Sequence, residues 1–469
     1  MTQRSQIAVI GSGPGGAVAA CTLAEAGRDV LLVEEGPRLA LESCRPFSTE
    51  EMVQKYRHGG VSAALGSCPV AYVEGRVVGG GSEVNSALYH RAPVDRLEEW
   101  TRRFRVEALS EKDLAAQSEA IEADLTMAAD SSRLHPAGMR LAQGAERLGL
   151  PCRQALRMAQ AGDGRTAGQR QAMSKTYIPR ALQAGCRLLE ETRVLSLTRA
   201  AGRWVCRARR GRASLDIEAE QVFLACGAIQ TPHLLRRSGL GGHAGASLAL
   251  HPTVKLVAEF SDEVNGPDLG VAAQQVKPVG MRYGFGCSLS SPSNLALALL
   301  DHPEALTRVA ADWRRMAVYY AMVPGTGCGE IRSLPACRDP LVRYRASADD
   351  LGGLGEGLRR LAELLFAAGA KRVYPSAGGL GPWSSAAEAG GAAALTSSDA
   401  RLITIHLMGS CPMGEDRGLC VADSFGKVHG SDGLWLADAS LLCGPVGVNP
   451  QGTVMALSRR NALRALGKL

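Results

Sequence analysis

The chain has 469 residues, 46% of them apolar and 21% charged, with a formal charge of +7 at neutral pH. That length suits two or three domains or one large composite. A mild positive bias with no Lys/Arg block or aromatic-interleaved basic stripe argues against a nucleic-acid partner. The absence of any run of about eighteen apolar residues argues against a transmembrane segment.

The thirteen cysteines are scattered, with no CxxC pair. They are expected as reduced, mostly buried thiols. No signal segment precedes the first apolar run, so the expected location is cytoplasmic.

Residues 7–36 read "IAVIGSGPGGAVAACTLAEAGRDVLLVEEG". The apolar run 7–10 predicts a buried parallel strand. It meets a GxGxxG turn carrying Gly11, Gly13 and Gly16, then an Ala-rich helix, then a second strand ending at Glu34, 23 residues after Gly11. That order predicts a dinucleotide fold. The glycines let backbone approach a pyrophosphate at a helix N-terminus, and the acid binds a ribose hydroxyl pair. Glu34 disfavours a 2′-phosphate but does not separate FAD from NAD.

Further along, "LSEKDLAAQSEAIEADL" (residues 109–125) has helical apolar spacing and opens on a capping pair, Ser110 and Asp113. Residues 187–210 alternate and turn like a β-hairpin. "VKLVAEF" (residues 254–260) predicts a strand. Leu358, Leu361, Leu365 and Phe366 make one face of a helix, expected as core packing. The Gly/Ala/Ser-rich stretch 376–398 predicts a mobile loop beside the active site, with Trp383 placed to cover a substrate. There are no repeats.

Three segments decide the cofactor. "VVGGGSEVNSALYHRAP" (77–93) resembles the first signature of the glucose–methanol–choline (GMC) oxidoreductases, which are FAD enzymes. "VFLACGAIQTPHLLRRSGL" (222–240) resembles the second, with Cys226 replacing the usual Ala. "HLMGSCPMG" (406–414), continuing to residue 462, resembles the C-terminal active-site block. The long-chain alcohol oxidase branch is the most similar in character.

The resemblance implies a discontinuous Rossmann-like FAD-binding domain (1–100, 186–255, 400–469), mixing α/β and α+β character. It also implies a helical insertion (101–185) and a substrate domain (256–399) with an antiparallel sheet flanked by helices. It puts the backbone of Gly80 and Gly81 close to the flavin, Ser82 on a phosphate oxygen and Asn85 near the ring. The Val194 backbone meets adenine, Gly227 passes near the nucleotide, and Asp438 and Ala439 lie near the ribityl and pyrophosphate groups. A strand-ending Asp438 is equally suited to capping the next element. Where some relatives bond flavin covalently through His, this chain has Val84, so the FAD is expected to be non-covalent. His90 is expected in a packing role.

Within "HLMGSCPMG" three readings compete: a soft-metal site, a Cys411 nucleophile, or His406 as a base. No second His at helical spacing and no paired Cys support a metal, so none is expected. A Cys411 nucleophile lacks an evident activating base. The resemblance places His406 facing the flavin and pairs it with Asn449, 43 residues later, in "VGVNPQGTVMAL". Pro450 fixes the backbone after Asn449, and Thr453 opens the last helix. A neutral imidazole, with an ordinary pKa of about 6.5, takes the hydroxyl proton of an alcohol. An Asn amide supports the alkoxide without titrating.

The implied reaction is oxidation of a largely apolar primary or secondary alcohol to a carbonyl, with dioxygen or an electron carrier as acceptor. The alternatives are a hydroxynitrile lyase or fatty-acid photodecarboxylase on the same fold, or a non-catalytic flavoprotein.

Overall fold

The computed structural model describes residues 2–129, 135–159, 170–267, 269–277 and 280–469. Two sheets organise them. The first has seven strands in the order 192–200, 203–210, 213–224, 2–10, 30–33 and 187–189, with Leu434–Leu436 added against 213–224. Thr2–Ile10 pairs in parallel with Val30–Val33 and Ala213–Leu224, and both of its faces are buried: Ile7 and Val9 pack into one core, Ala8 and Ile10 into another. This is why residues 7–10 are continuously apolar rather than alternating. The hairpin expected at 187–210 forms as the antiparallel pair 192–200 and 203–210.

The helix Pro14–Glu25 packs against this sheet, and its small residues allow close approach. A Cβ on Gly15 would collide with the carbonyl of Ala437, and one on Gly16 with the carbonyl of Gly11. The C-terminal helix Gln451–Ala465 lies alongside.

The second sheet has nine strands. Its centre is Thr253–Glu259, paired antiparallel with Met316–Met322 and Arg372–Pro375. Val254, Leu256 and Ala258 pack into the same core as Leu358, Leu361 and Leu365 of the helix Ala348–Ala367, with Phe366 half-buried against it. The helical stripe read from the sequence is therefore core. The architecture combines a Rossmann-like α/β unit with an α+β unit whose sheet is mostly antiparallel.

Three expectations are corrected. Strands 62–64, 70–72 and 402–404, assigned to the nucleotide unit, pair into the nine-stranded sheet. The stretch 101–185 is not only helical. It carries strands 127–129, 152–154 and 156–158, and Cys152–Gln154 extends the larger sheet. Three-residue strands hold too little alternation to read from sequence. Residues 130–134 and 160–169 of that stretch lie outside the described residues. Finally, Trp383 does not cover a cavity: it is 5% exposed, exchanges backbone hydrogen bonds with Val373 and packs in the core.

The capping box read at Ser110 and Asp113 is present, and a second occurs at Ser347 and Asp350. Asp350 does more than cap. Its buried carboxylate also accepts from the backbone N–H groups of Thr326 (2.7 Å) and Gly327 (3.0 Å). Ser347→Ala should therefore cost about 1 kcal/mol, the usual loss of an N-cap. Asp350→Ala should cost more, about 1.5–3 kcal/mol, because it strips a charged acceptor from several donors. Urea unfolding measures both, and equal losses would show that the Thr326 and Gly327 bonds contribute nothing.

Candidate active site

One cavity of about 1180 Å³ is lined by residues of both sheets. At one end lies the turn after Thr2–Ile10. The helix that starts at Pro14 has no side-chain cap and no acid in its first turn, which leaves its N-terminal N–H groups free for an anion. Gly13 and Gly81 line the cavity, and a Cβ on either would meet no atom within 4 Å. Gly11, at φ +105°, also lines it, with no room for a Cβ on its other side against the carbonyl of Ala225. Gly80 completes this wall. Gly16 lies outside the cavity and serves helix–strand packing, the role of the third glycine in such turns.

Glu34 reaches the same end. Its Oε2 accepts from the N–H and hydroxyl of Ser12 (3.0 and 2.7 Å), and its Oε1 accepts from Gly36 N–H (2.8 Å). Burial raises its pKa, against the pull of these bonds. A carboxylate has about four acceptor positions, so one remains on Oε1 for a ribose hydroxyl. Val194 sits at a β-bulge, and Val194 and Leu195 both line the cavity. Cys226–Ala228, Asp438 and Ala439 continue the wall.

Asp438 caps the short turn Ala439–Leu441 through Ser440 N–H (2.8 Å). It also accepts from Gly227 N–H (2.9 Å) and Thr231 Oγ1 (2.5 Å). It thus fastens two loops at the cavity edge. The open glycine floor, the uncapped helix end and the acid at the strand end fit a dinucleotide such as FAD.

Two expected cofactor contacts do not reach this wall. Ser82 is 2% exposed; its Oγ donates to Gly79 O (2.7 Å) and accepts from Met173 N–H (2.9 Å), so its hydroxyl is used internally rather than on a phosphate. Thr453 is buried in the first turn of the last helix, behind the cavity-lining residues Pro450, Gln451 and Val454. Asn85 does line the cavity; its Nδ2 donates to Gln451 Oε1 (2.5 Å) and its Oδ1 accepts from Ala87 N–H.

At the far end stand His406 and Asn449. Two strand pairs set the histidine. Leu402–Thr404 pairs with 253–254, and Leu407–Met408 pairs with Ala249–Leu250. Between them Thr404 Oγ1 accepts from His406 N–H and donates to His406 O, both at 3.1 Å. The same pairing brings His251 edge-on to His406, Nδ1 to Nδ1 at 2.9 Å. His406 Nε2 lies 3.1 Å from Asn449 Nδ2. Asn449 Oδ1 lies 3.4 Å from Gln275 Nε2, and Gln275 Oε1 lies 3.1 Å from His90 Nε2. His90 is therefore a packing partner of this chain and lies off the cavity wall.

Burial sets the charge of this network. It lowers His406 to about 3, helped by His90 and Lys277. It lowers His90 to about 4 and His251 well below the ordinary value. The expectation of an imidazole titrating near 6.5 is corrected: a ring without solvent or a carboxylate partner stays neutral.

His251 Nε2 accepts from Gly447 N–H (2.9 Å). A neutral His251 so held has its hydrogen on Nδ1, donated to His406 Nδ1, and His406 then carries its hydrogen on Nε2, facing Asn449 Nδ2, so in this tautomer the Asn449 amide has to turn its oxygen toward the ring. For Nε2 to accept a proton, the shared hydrogen must lie on His406 Nδ1 and His251 must release Gly447.

Cys411 is fully buried and its thiol is pushed up by burial. It packs with Met408 and Met413. Among the described residues no group of three His, Cys, Asp or Glu side chains is placed to hold a metal. No helix of these residues is long and apolar enough to cross a membrane.

Sequence reasoning did not single out His251, Gln275 or Lys255. No local motif marks them, and only strand pairing brings them to the site.

The GMC oxidoreductase family matches residues 52–253 and 329–458, and a Rossmann-like NAD(P)-binding domain matches residues 9–57. An uncharacterized GMC-type oxidoreductase of Sinorhizobium fredii is 35% identical over 98% of this chain and 94% of its own length. The chain belongs to the GMC oxidoreductase family. A long-chain-alcohol oxidase of Arabidopsis thaliana is 24% identical over 96% of this chain and 67% of its own. In fold, the chain resembles pyridoxine 4-oxidase from "Mesorbium loti" (TM-score 0.75, 18% identity, 99% of each chain). It also resembles Aspergillus oryzae formate oxidase (TM-score 0.77, 16% identity, 100% and 99%). Family and cradle together imply FAD.

The neutral histidines make a stability prediction. Between about pH 6.5 and about pH 4 the unfolded chain binds protons that the native network refuses, so stability is full above 6.5 and falls as pH drops. The slope is about 1.4 kcal/mol per pH unit for each such histidine. Denaturant unfolding at several pH values should show this, and His251→Gln should flatten the slope. An unchanged slope in that variant would show that the ring is not held neutral by burial.

Proposed function

We propose that the protein oxidises a primary or secondary alcohol to a carbonyl, using non-covalent FAD and either dioxygen or an electron carrier as acceptor. The observation that carries this reading is the neutral, desolvated imidazole of His406, beside Asn449, on the wall of a cavity that continues into the dinucleotide cradle. The long-chain-alcohol oxidase relative supports a CH–OH substrate.

FAD supplies the hydride acceptor when bound, and Gly11, Gly13, Gly81, Glu34 and the Val194 segment would hold it. His406 Nε2 takes the hydroxyl proton in the tautomer whose other hydrogen is donated from Nδ1 to His251. Asn449, held by Gln275, offers its amide to the developing alkoxide. A positive imidazolium is costly in this dry setting, so it forms only with the alkoxide beside it.

Non-covalent binding is motivated by Val84, a cavity-lining residue with no nucleophile. Acid precipitation should leave the yellow colour in the supernatant; colour kept in the washed pellet would contradict it. His406→Ala should retain FAD and lower the rate of anaerobic flavin bleaching by about 10²–10⁴-fold, the usual contribution of a positioned acid–base group. Asn449→Ala should cost about 10²–10³-fold. The double variant should cost less than the sum of the two free energies, since both act on one oxygen. An unaltered rate in His406→Ala ends the base assignment.

A further inference from the structure

The cavity beyond His406 contains a cation that the proposed reaction does not use. Lys255 lies on the central strand Thr253–Glu259 and lines the cavity together with Thr253. The alternate residues Val254 and Leu256 face the other way, into the core beneath the long helix. One step further along the Lys255 face, Val257 is sealed by a separate cluster with Leu295 and Val318. Lys255 therefore stands where packed core gives way to open chamber. Its cross-strand neighbour is Tyr320, also on the cavity wall. Met322, Leu289 and Ile403 make the surroundings apolar.

Two other lysines, the buried Lys55 and the exposed Lys277, have partners. Lys55 Nζ donates to the carbonyl of Leu41 (2.8 Å) and Lys277 Nζ to that of Gly447 (2.6 Å). Lys255 Nζ has no hydrogen-bond or ion-pair partner among the described residues. Burial alone lowers its ammonium to about 8, with no contribution from any acid. It is still mostly charged at neutral pH. The acids of the cavity wall, Glu34, Glu35 and Asp438 among them, belong to the nucleotide end and carry their own donors. An ammonium left unpaired in a desolvated site costs folding free energy, and a ligand anion removes that cost.

We propose that the alcohol substrate carries a carboxylate, and that Lys255 binds it while the hydroxyl end lies at His406 and Asn449. This rests on the reaction proposed above and names its substrate class: a hydroxy acid with an apolar middle, rather than a plain alcohol. One lysine balances one negative charge, which suits a carboxylate better than a phosphate dianion. The geometry sets a separation. Lys255 lies four residues along the chain from His251, the ring beside His406, or roughly 13 Å at the rise of a strand. The two ends of the substrate are therefore held apart, and the Met322, Leu289 and Ile403 side chains cover what lies between.

The test uses the FAD-loaded enzyme and two readouts. The first is calorimetric binding of straight-chain carboxylates that lack the hydroxyl, in a series from acetate to palmitate, with the methyl esters as neutral controls. At least one carboxylate should bind the wild type better than its ester. Lys255→Met should weaken that carboxylate by about 10- to 150-fold, the worth of a charged hydrogen bond, and Lys255→Arg should restore most of it. Affinity should also fall as pH rises above about 8, where the free lysine loses its charge.

The second readout is turnover. The ratio of kcat/KM for an ω-hydroxycarboxylate to that for the matching 1-alkanol should fall in Lys255→Met by the same factor, through KM. Carboxylates that bind wild type and Lys255→Met alike, or none binding at all, overturns the proposal. So does loss of FAD from Lys255→Met, which would assign the lysine to the cofactor. If carboxylate binding depends on Lys255 while no alcohol bleaches the flavin, the anion site stands and the proposed reaction falls.

Discussion

Desolvation of one histidine is the constraint on which the site depends. His406 is held between two neutral partners, a second imidazole at 2.9 Å and an amide at 3.1 Å. Neither carries charge, so nothing inside the protein favours an imidazolium. This separates the network from a carboxylate–histidine pair, where a fixed negative charge holds the ring ready to be positive. Here the opposite charge has to come from the reacting oxygen. The fold keeps it so by routing five segments to one place: the approach to the central strand of the larger sheet, the loop after its neighbour at 402–404, the strand Gln274–Val276, the residues after 88–89, and the start of the last helix.

The nucleotide end follows a different logic. There the contacts are backbone, and the side chains that matter are absent ones. Gly13 and Gly81 leave the floor open, while Gly15 and Gly16 let the helix sit close enough to aim its N-terminus at that floor. Glu34 and Asp438 hold loops together through several N–H donors each, so each acid both shapes the wall and faces the cavity. Cofactor binding and loop closure therefore share the same carboxylates.

What was legible in the sequence was mostly local. The GxGxxG turn, the acid 23 residues after Gly11, the hairpin at 192–210 and the Ser110–Asp113 box each depend on neighbours close in the chain. The His406–Asn449 pairing came from family resemblance, and the structure brings the two within hydrogen-bond distance. Side-chain direction was not legible. Ser82 sits in the expected loop, yet a residue 91 positions away, Met173, takes its hydroxyl inward. Trp383 reads as an exposed lid in a Gly/Ala/Ser-rich stretch, but a backbone bridge to Val373 draws it into the core. His251 and Lys255 carry no motif, and only the pairing of their strand with 316–322 and 402–404 gives them a role. The imidazole pKa was misjudged for the same reason, since burial is a tertiary property.

The central claim is that His406 works as a neutral base whose charge state solvent pH does not set. The rate of anaerobic flavin bleaching at saturating alcohol, followed from about pH 5 to about pH 8, tests this most directly, because an ordinary imidazole titrates inside that window. The account predicts a flat profile in the wild type. A rise centred near the ordinary value of 6.5 that disappears in His406→Ala would contradict it, showing a solvated histidine rather than one kept neutral by burial.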